Sequence, residues 1–206
     1  MVVALSVVAA LVVLAVLTWQ VVAHGAWWRA DVRLDAAVLR AAAARPGWRG
    51  GAQVLADASD LVVALPVLAV ALGYAGLRRR AWFGPAVYAG LMAVTGLVVS
   101  AGKAAVGRPA PGTSVLGAHS GYFPSGHAAT AAMASGLVVL ALLPLCRRAA
   151  ARRLLVAAAV PLNLAVGAAL VWRGYHWPLD VAASWCLCWV LLVVGYRVTR
   201  WWGSRG

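Results

Sequence analysis

Long uncharged apolar runs, separated by short polar stretches, set the pattern of this chain. Crossing the hydrocarbon core of a bilayer as a helix takes about 20 apolar residues. Six runs reach or approach that length: Val2 to Val22, Leu61 to Leu77, Phe83 to Gly102, Ala128 to Cys146, Leu154 to Trp172 and Val181 to Tyr196. The second and last are short alone, but flanking residues extend them. The first lacks the basic leader of a signal peptide, and its apolar stretch is too long for one, so a retained helix is expected. One polar stretch, residues 24 to 59, is long enough to hold structure of its own. Within it, Asp31 to Arg45 reads as a helix with Leu34, Val38, Leu39 and Ala42 on one side and Arg33, Asp35 and Arg40 elsewhere. Pro46-Gly47 stops that helix. Trp27, Trp28 and Trp48 flank it, as befits a headgroup interface. The pattern predicts an all-α integral membrane protein: six transmembrane helices, with an additional interfacial amphipathic helix between the first and second. Nothing divides the chain, so residues 1–206 are expected to form a single domain.

Composition supports this class. The chain is 64% hydrophobic and only 11% charged, which is too apolar for an ordinary soluble domain. Its net charge of +13 does not point to nucleic acid, because the arginines cluster at the ends of apolar runs. Abundant Ala, Val, Gly and Arg, with one lysine, suggest a GC-rich bacterial genome. Cys186 and Cys188 sit between Trp185 and Trp189 within the last run, with no further ligand nearby, and read as small hydrophobes rather than a metal pair.

Orientation follows from the basic residues. Arg78, Arg79, Arg80, Arg147, Arg148, Arg152, Arg153, Arg197, Arg200 and Arg205 fall on the side of the termini. Arg29, Arg33, Arg40, Arg45, Arg49, Lys103, Arg108 and Arg173 fall on the other. Three of the latter belong to a candidate site, leaving ten against five and placing both termini in the cytoplasm. All five acids and all four histidines lie on the side opposite the termini, which therefore carries nearly all the available chemistry.

Three polar segments fall at those outer helix ends. Lys103-Ala-Ala-Val-Gly107-Arg108-Pro109-Ala110-Pro111 leaves the third run. Pro124-Ser125-Gly126-His127 opens the fourth with Ser125 as an N-cap, where free N–H groups and the helix dipole favour an anion and Gly126 permits its close approach. His176 and Asp180, four apart, share one face of a helical turn, so the carboxylate can fix the imidazole tautomer and leave the other nitrogen free to attack. Lys103, Arg108 and Arg173 supply positive charge suited to phosphoryl oxygens. Lys103 is the only lysine, at the end of an otherwise uncharged helix, which argues against a mere interfacial anchor.

In order and placement these segments resemble the type 2 phosphatidic acid phosphatases, the PAP2 superfamily. The family pattern is Lys-x6-Arg-Pro, then Pro-Ser-Gly-His, then Ser-Arg-x5-His-x3-Asp. The middle segment matches fully; Lys103, Pro111, His176 and Asp180 match in the others. The first family arginine falls on Ala110, with Arg108 two residues earlier. The family Ser-Arg pair falls on Ala169-Leu170, with Arg173 three residues later.

The resemblance implies a metal-independent, cofactor-free phosphatase. It would hydrolyse a lipid phosphate or diphosphate at the outer face of a bacterial plasma membrane. His176, oriented by Asp180, would form a phosphohistidine, and His127 would serve first as acid and then as base. Lys103, Arg108, Ser125, Gly126 and Arg173 would hold the phosphoryl oxygens. Polyprenyl diphosphate, phosphatidic acid and phosphatidylglycerophosphate all fit as substrates, with selectivity expected from residues 112 to 123 and the interfacial helix. Two other readings stand beside it: an inactive lipid-phosphate-binding or scaffold protein, favoured by the displaced arginines, and a small transporter. The transporter would want ionisable groups at mid-membrane, which the six cores lack. The soluble haloperoxidase branch of the same motifs is excluded by the hydropathy.

Overall fold

The computed structural model describes residues 1–111 and 121–203. Most of the selectivity segment expected between 112 and 123, His119 and Arg205 lie outside the described residues. The described chain is helical: α1 (Val2–Val22), α2 (Ala26–Ala43), a 3-10 turn (Pro46–Trp48), α3 (Arg49–Asp57), α4 (Leu61–Arg79), α5 (Phe83–Val106), α6 (Gly126–Leu142), α7 (Ala149–Trp172) and α8 (Pro178–Gly203). Six of these (α1 and α4 to α8) are long and apolar enough to cross a membrane. The second and last runs do extend into their polar flanks, ending at Arg79 and Gly203.

The bundle is built around α6, which packs against α4, α5, α7 and α8. Its sequence explains this. Ala128, Ala129, Ala131, Ala134 and Ala141 are all buried, and such small side chains let neighbouring helices approach closely. Met133 and Leu137, both fully buried, fill the space left between α5 and α8 beside Met92 and Cys188. Cys188 is thus a small core residue. At Gly167 of α7 a side chain would begin 2.7 Å from the Trp185 ring of α8, so glycine is needed for that contact. α1 lies at the periphery against α8, with only Leu17 and Val21 buried.

The interfacial helix is present but docks differently from expectation. It starts earlier, at Ala26, and its buried face carries Asp31 and Asp35. Leu34 is 52% exposed. Val38 still packs inward, on the cluster formed by α3, α6, α7 and α8. The helix turns this face inward because Asp31 finds a buried cation, Arg108, to meet, while Leu34 can face lipid at no cost.

Candidate active site

The three polar segments and the α3–α4 turn converge at one end of the bundle, around a cavity of about 570 Å³. Each segment is positioned by a local backbone device. α5 ends at Gly107, whose φ of 60° reverses the chain just past Lys103. Ser125 caps α6, its hydroxyl accepting from the Ala128 N–H at 3.1 Å. α7 ends at Trp172, and Gly174, with φ 68°, turns the chain so that Tyr175 and His176 face the cavity. The α6 start is tied to α8: Ser184 donates to the Ser125 carbonyl at 2.8 Å, and the Ser125 N–H donates to the Asp180 carbonyl at 3.2 Å.

The two histidines meet. His127 Nδ1 lies 3.5 Å from His176 Nε2, and His176 Nδ1 lies 3.4 Å from Asp180 Oδ2. The carboxylate therefore holds one nitrogen of His176, and the other points toward His127 and the cavity. Asp180 is fully buried and also accepts from the Trp177 N–H. Lys103 lines the same cavity, its Nζ 3.6 Å from where a side chain on Gly126 would begin. Gly126 thus leaves room beside an ammonium at a helix start, an arrangement suited to an anion.

Arg108, expected to bind phosphate, does not line the cavity. It is buried behind Asp180. Its Nη1 donates to Asp180 Oδ1 at 2.5 Å and its Nη2 to Asp31 Oδ2 at 2.6 Å, with both partners essentially inaccessible. Its guanidinium lies 4.7 Å from the centroid of the Trp177 ring. Two carboxylates occupy its two Nη groups. Asp31 accepts in addition from the Leu179 N–H at 3.0 Å, pinning α2 to the start of α8. Burial pushes the Asp31 carboxyl up from its ordinary value, against the opposing pull of Arg108. Asp35, one turn on, is raised to about 6, by burial first and by the charge of Asp31 second.

Ser125 is likewise placed away from the expected phosphate contact: it is fully buried, with its hydroxyl engaged as the α6 cap. Arg173 stands behind the cavity wall. Its Nε donates to Gln53 Oε1 at 2.7 Å and an Nη to the Tyr175 hydroxyl at 3.2 Å, while Tyr175 also donates to Gln53 at 2.8 Å. Gln53 and Tyr175 themselves line the cavity.

Sequence reasoning missed Asp60 and Asp31. Asp60 Oδ1 lies 3.1 Å from His127 Nε2, so His127 is bracketed by a carboxylate on one nitrogen and His176 on the other. Neither acid has a spacing signal, since each reaches its partner across about 70 residues of chain; their shared side of the membrane was the only available hint. Among the described residues no group of three His, Cys, Asp or Glu gathers closely enough to hold a metal ion.

A second cavity, of about 850 Å³, runs from Lys103, Gly126 and His127 along α4, α5 and α6 between apolar side chains such as Leu65, Leu68, Leu72 and Met92. The polar site therefore continues into an apolar groove within the bundle.

Comparisons with known proteins agree with this frame. The crystal structure of a transmembrane PAP2 type phosphatidylglycerolphosphate phosphatase from Bacillus subtilis superposes with a TM-score of 0.83. It is 18% identical, and the match covers 95% of this chain and 96% of that one, which establishes the shared fold. No curated protein sequence matches. The model of the PAP2 superfamily matches residues 84–204, taking in the histidine pair, Asp180 and Lys103. With more than half its length matched, and folded on the frame of that phosphatase, the chain belongs to the PAP2 superfamily.

Proposed function

We propose that this chain is a metal-independent lipid phosphatase of the bacterial plasma membrane, acting at the outer face through a phosphohistidine. The observation that carries the reading is the line Asp180–His176–His127–Asp60, with its central nitrogens 3.5 Å apart at the cavity. His176 donates its Nδ1 proton to Asp180, so the Nε2 lone pair attacks phosphorus. The phosphorus–oxygen bond to the leaving group breaks, and His127 protonates the departing oxygen. Water then attacks the phosphohistidine, giving its proton to His127, and the phosphorus–nitrogen bond breaks to release phosphate. Asp60 holds the far nitrogen of His127 in both steps.

Lys103 and the backbone N–H groups at Gly126 and His127 hold the phosphoryl oxygens. Arg108 acts one step back, as a positioning residue that fixes Asp180. Arg173 contributes as a second cation by exchanging its Gln53 and Tyr175 bonds for phosphate. The apolar groove supports a lipid chain on the substrate. Phosphatidic acid, polyprenyl diphosphate and phosphatidylglycerophosphate, the substrate named for the structural relative, are the classes to compare.

A second reading, an inactive lipid-phosphate binder, draws on Arg108 being sequestered and on Ala110 and Leu170 replacing the family arginines. One experiment separates the two: phosphate release from the three lipid classes by purified protein in detergent with EDTA, for the wild type and for His176→Ala. The phosphatase reading expects wild-type turnover, a loss of at least about 100-fold in His176→Ala, and a phosphohistidine trapped only in the wild type. No release from any class supports the binder, and full activity in His176→Ala rejects the phosphohistidine.

A further inference from the structure

The far end of the bundle holds a second charged cavity. It measures about 540 Å³ and is lined by Arg79 at the end of α4, Arg152 at the start of α7 and Arg200 near the end of α8. Its remaining walls are mostly apolar or aromatic, among them Phe83, Tyr88, Leu140 and Trp202. Three helices thus bring three arginines to the lining of one hollow. The ordinary account of arginines at membrane flanks is orientation, and clusters such as Arg147-Arg148 need no more than that. Convergence on a shared cavity adds to that account, because like charges lining one space favour an anion held between them.

No acidic side chain of the neighbouring elements supplies such an anion. No Asp or Glu occurs between Asp60 and Asp180, nor after Asp180. Every element lining this cavity falls inside those two stretches. Nor does any ion pair among the described residues involve Arg79, Arg152 or Arg200; Arg200 lies instead 5.9 Å from the centroid of the Tyr196 ring. The walls are also held in shape. The Tyr88 and Thr199 hydroxyls lie 3.2 Å apart, joining α5 to α8, and Phe83 packs on Trp202 with ring centroids 5.3 Å apart.

We propose that this cavity binds the headgroup phosphate of an anionic phospholipid, with its chains along the apolar walls. Guanidinium forks match phosphate oxygens in geometry as well as charge. Basic pockets between membrane helices recognise anionic headgroups in this way. A lipid is the committed source because the hollow combines the arginines with walls of Phe83, Tyr88 and Leu140, which free phosphate would leave unused. The site lies at the opposite end of the bundle from His176 and stands independently of the chemistry proposed there.

The test is thermal denaturation of the full chain in a neutral detergent, titrated with phosphatidylglycerol, phosphatidylcholine or inorganic phosphate. Phosphatidylglycerol at about ten times its Kd should raise the midpoint by about 3 °C or more. The other two should do little. The triple variant Arg79→Gln/Arg152→Gln/Arg200→Gln should lose the rise and keep its phosphatase activity, whereas Lys103→Gln should keep the rise. If the triple variant does not fold, the three single variants should each weaken the rise. An undiminished rise in the triple variant or in all three single variants, an equal rise with phosphatidylcholine or with phosphate alone, or loss of the rise in Lys103→Gln overturns the proposal.

Discussion

At the scale of single residues, the site depends on which carboxylate faces which base. Asp60 is the residue whose role can be isolated. Its side chain makes no cap bond to α4 and is 46% exposed toward the cavity, so replacing it should leave the fold intact. On the proposed mechanism, Asp60 would fix the tautomer of His127 and stabilise the charge it carries before giving up a proton. That assistance matters where the leaving group is a poor one. Asp60→Asn should therefore lower kcat/KM for alkyl phosphate lipids by about 10-fold or more, a fraction of what acid catalysis typically supplies. An aryl phosphate such as p-nitrophenyl phosphate, which leaves without a proton, should change by less than about threefold. Equal losses on both esters would mean that Asp60 acts through the shape of the pocket instead. Arg108 teaches the complementary lesson. An arginine two residues from the family position reads as a displaced phosphate ligand, and the structure places it, buried, between two acids. Sequence distance could not show this, because Asp31 lies 77 residues away.

At the scale of elements, α2 is the helix whose attachment depends on acids. Asp35 is buried, and its Oδ1 has no hydrogen-bond partner. Its carboxyl is raised to about 6 from an ordinary 3.8. Between those values the folded protein holds a proton that the unfolded chain releases, so stability falls as pH rises through that window. The full cost is present above pH 6 and absent below pH 4. Thermal midpoints in detergent should thus fall from pH 4.5 to 7, and Asp35→Asn should flatten much of that slope. A residual slope is expected from Asp31, which is raised in the same direction. An unchanged slope in Asp35→Asn would remove the carboxyl as its cause. The six spanning helices were legible from apolar length alone, because lipid demands it of any helix that crosses. The Ser125 cap and the His176–Asp180 pair were legible too, since both are local. The docking face of α2 was not. Its apolar positions pointed one way, and the buried guanidinium that meets Asp31 is supplied by a distant segment.

At the scale of the whole molecule, polarity divides the bundle by its two ends. The histidine pair, Lys103 and the five acids gather at one end, and the cavity ringed by Arg79, Arg152 and Arg200 lies at the other. The count of ten basic residues against five outside the site leads us to expect the arginine end in the cytoplasm. A reporter fused after Arg205 should then be cytoplasmic, and one inserted near Gly117 external. External labelling of the Arg205 fusion would place the chemistry on the inner face. The family model reaches back only to residue 84, so Asp31 and Asp60 lie beyond what it describes. The matched region holds the two histidines, while partners that restrain them come from the preceding helices.

The bridge from Asp31 through Arg108 to Asp180 also bears on how the sequence can drift over time. Losing the arginine alone strands two carboxylates in the interior, and losing Asp31 alone leaves half of a buried fork unanswered. Either single step is unfavourable, and exchanging both together still leaves Asp180 without its cation but strands one carboxylate fewer than losing the arginine alone. Positions 31 and 108 should therefore be inherited as a pair. Where a homologue carries a small residue at the second, it should carry a neutral one at the first. Descent would then record a contact between the interfacial helix and the catalytic segment, even among chains too divergent for their remaining residues to align.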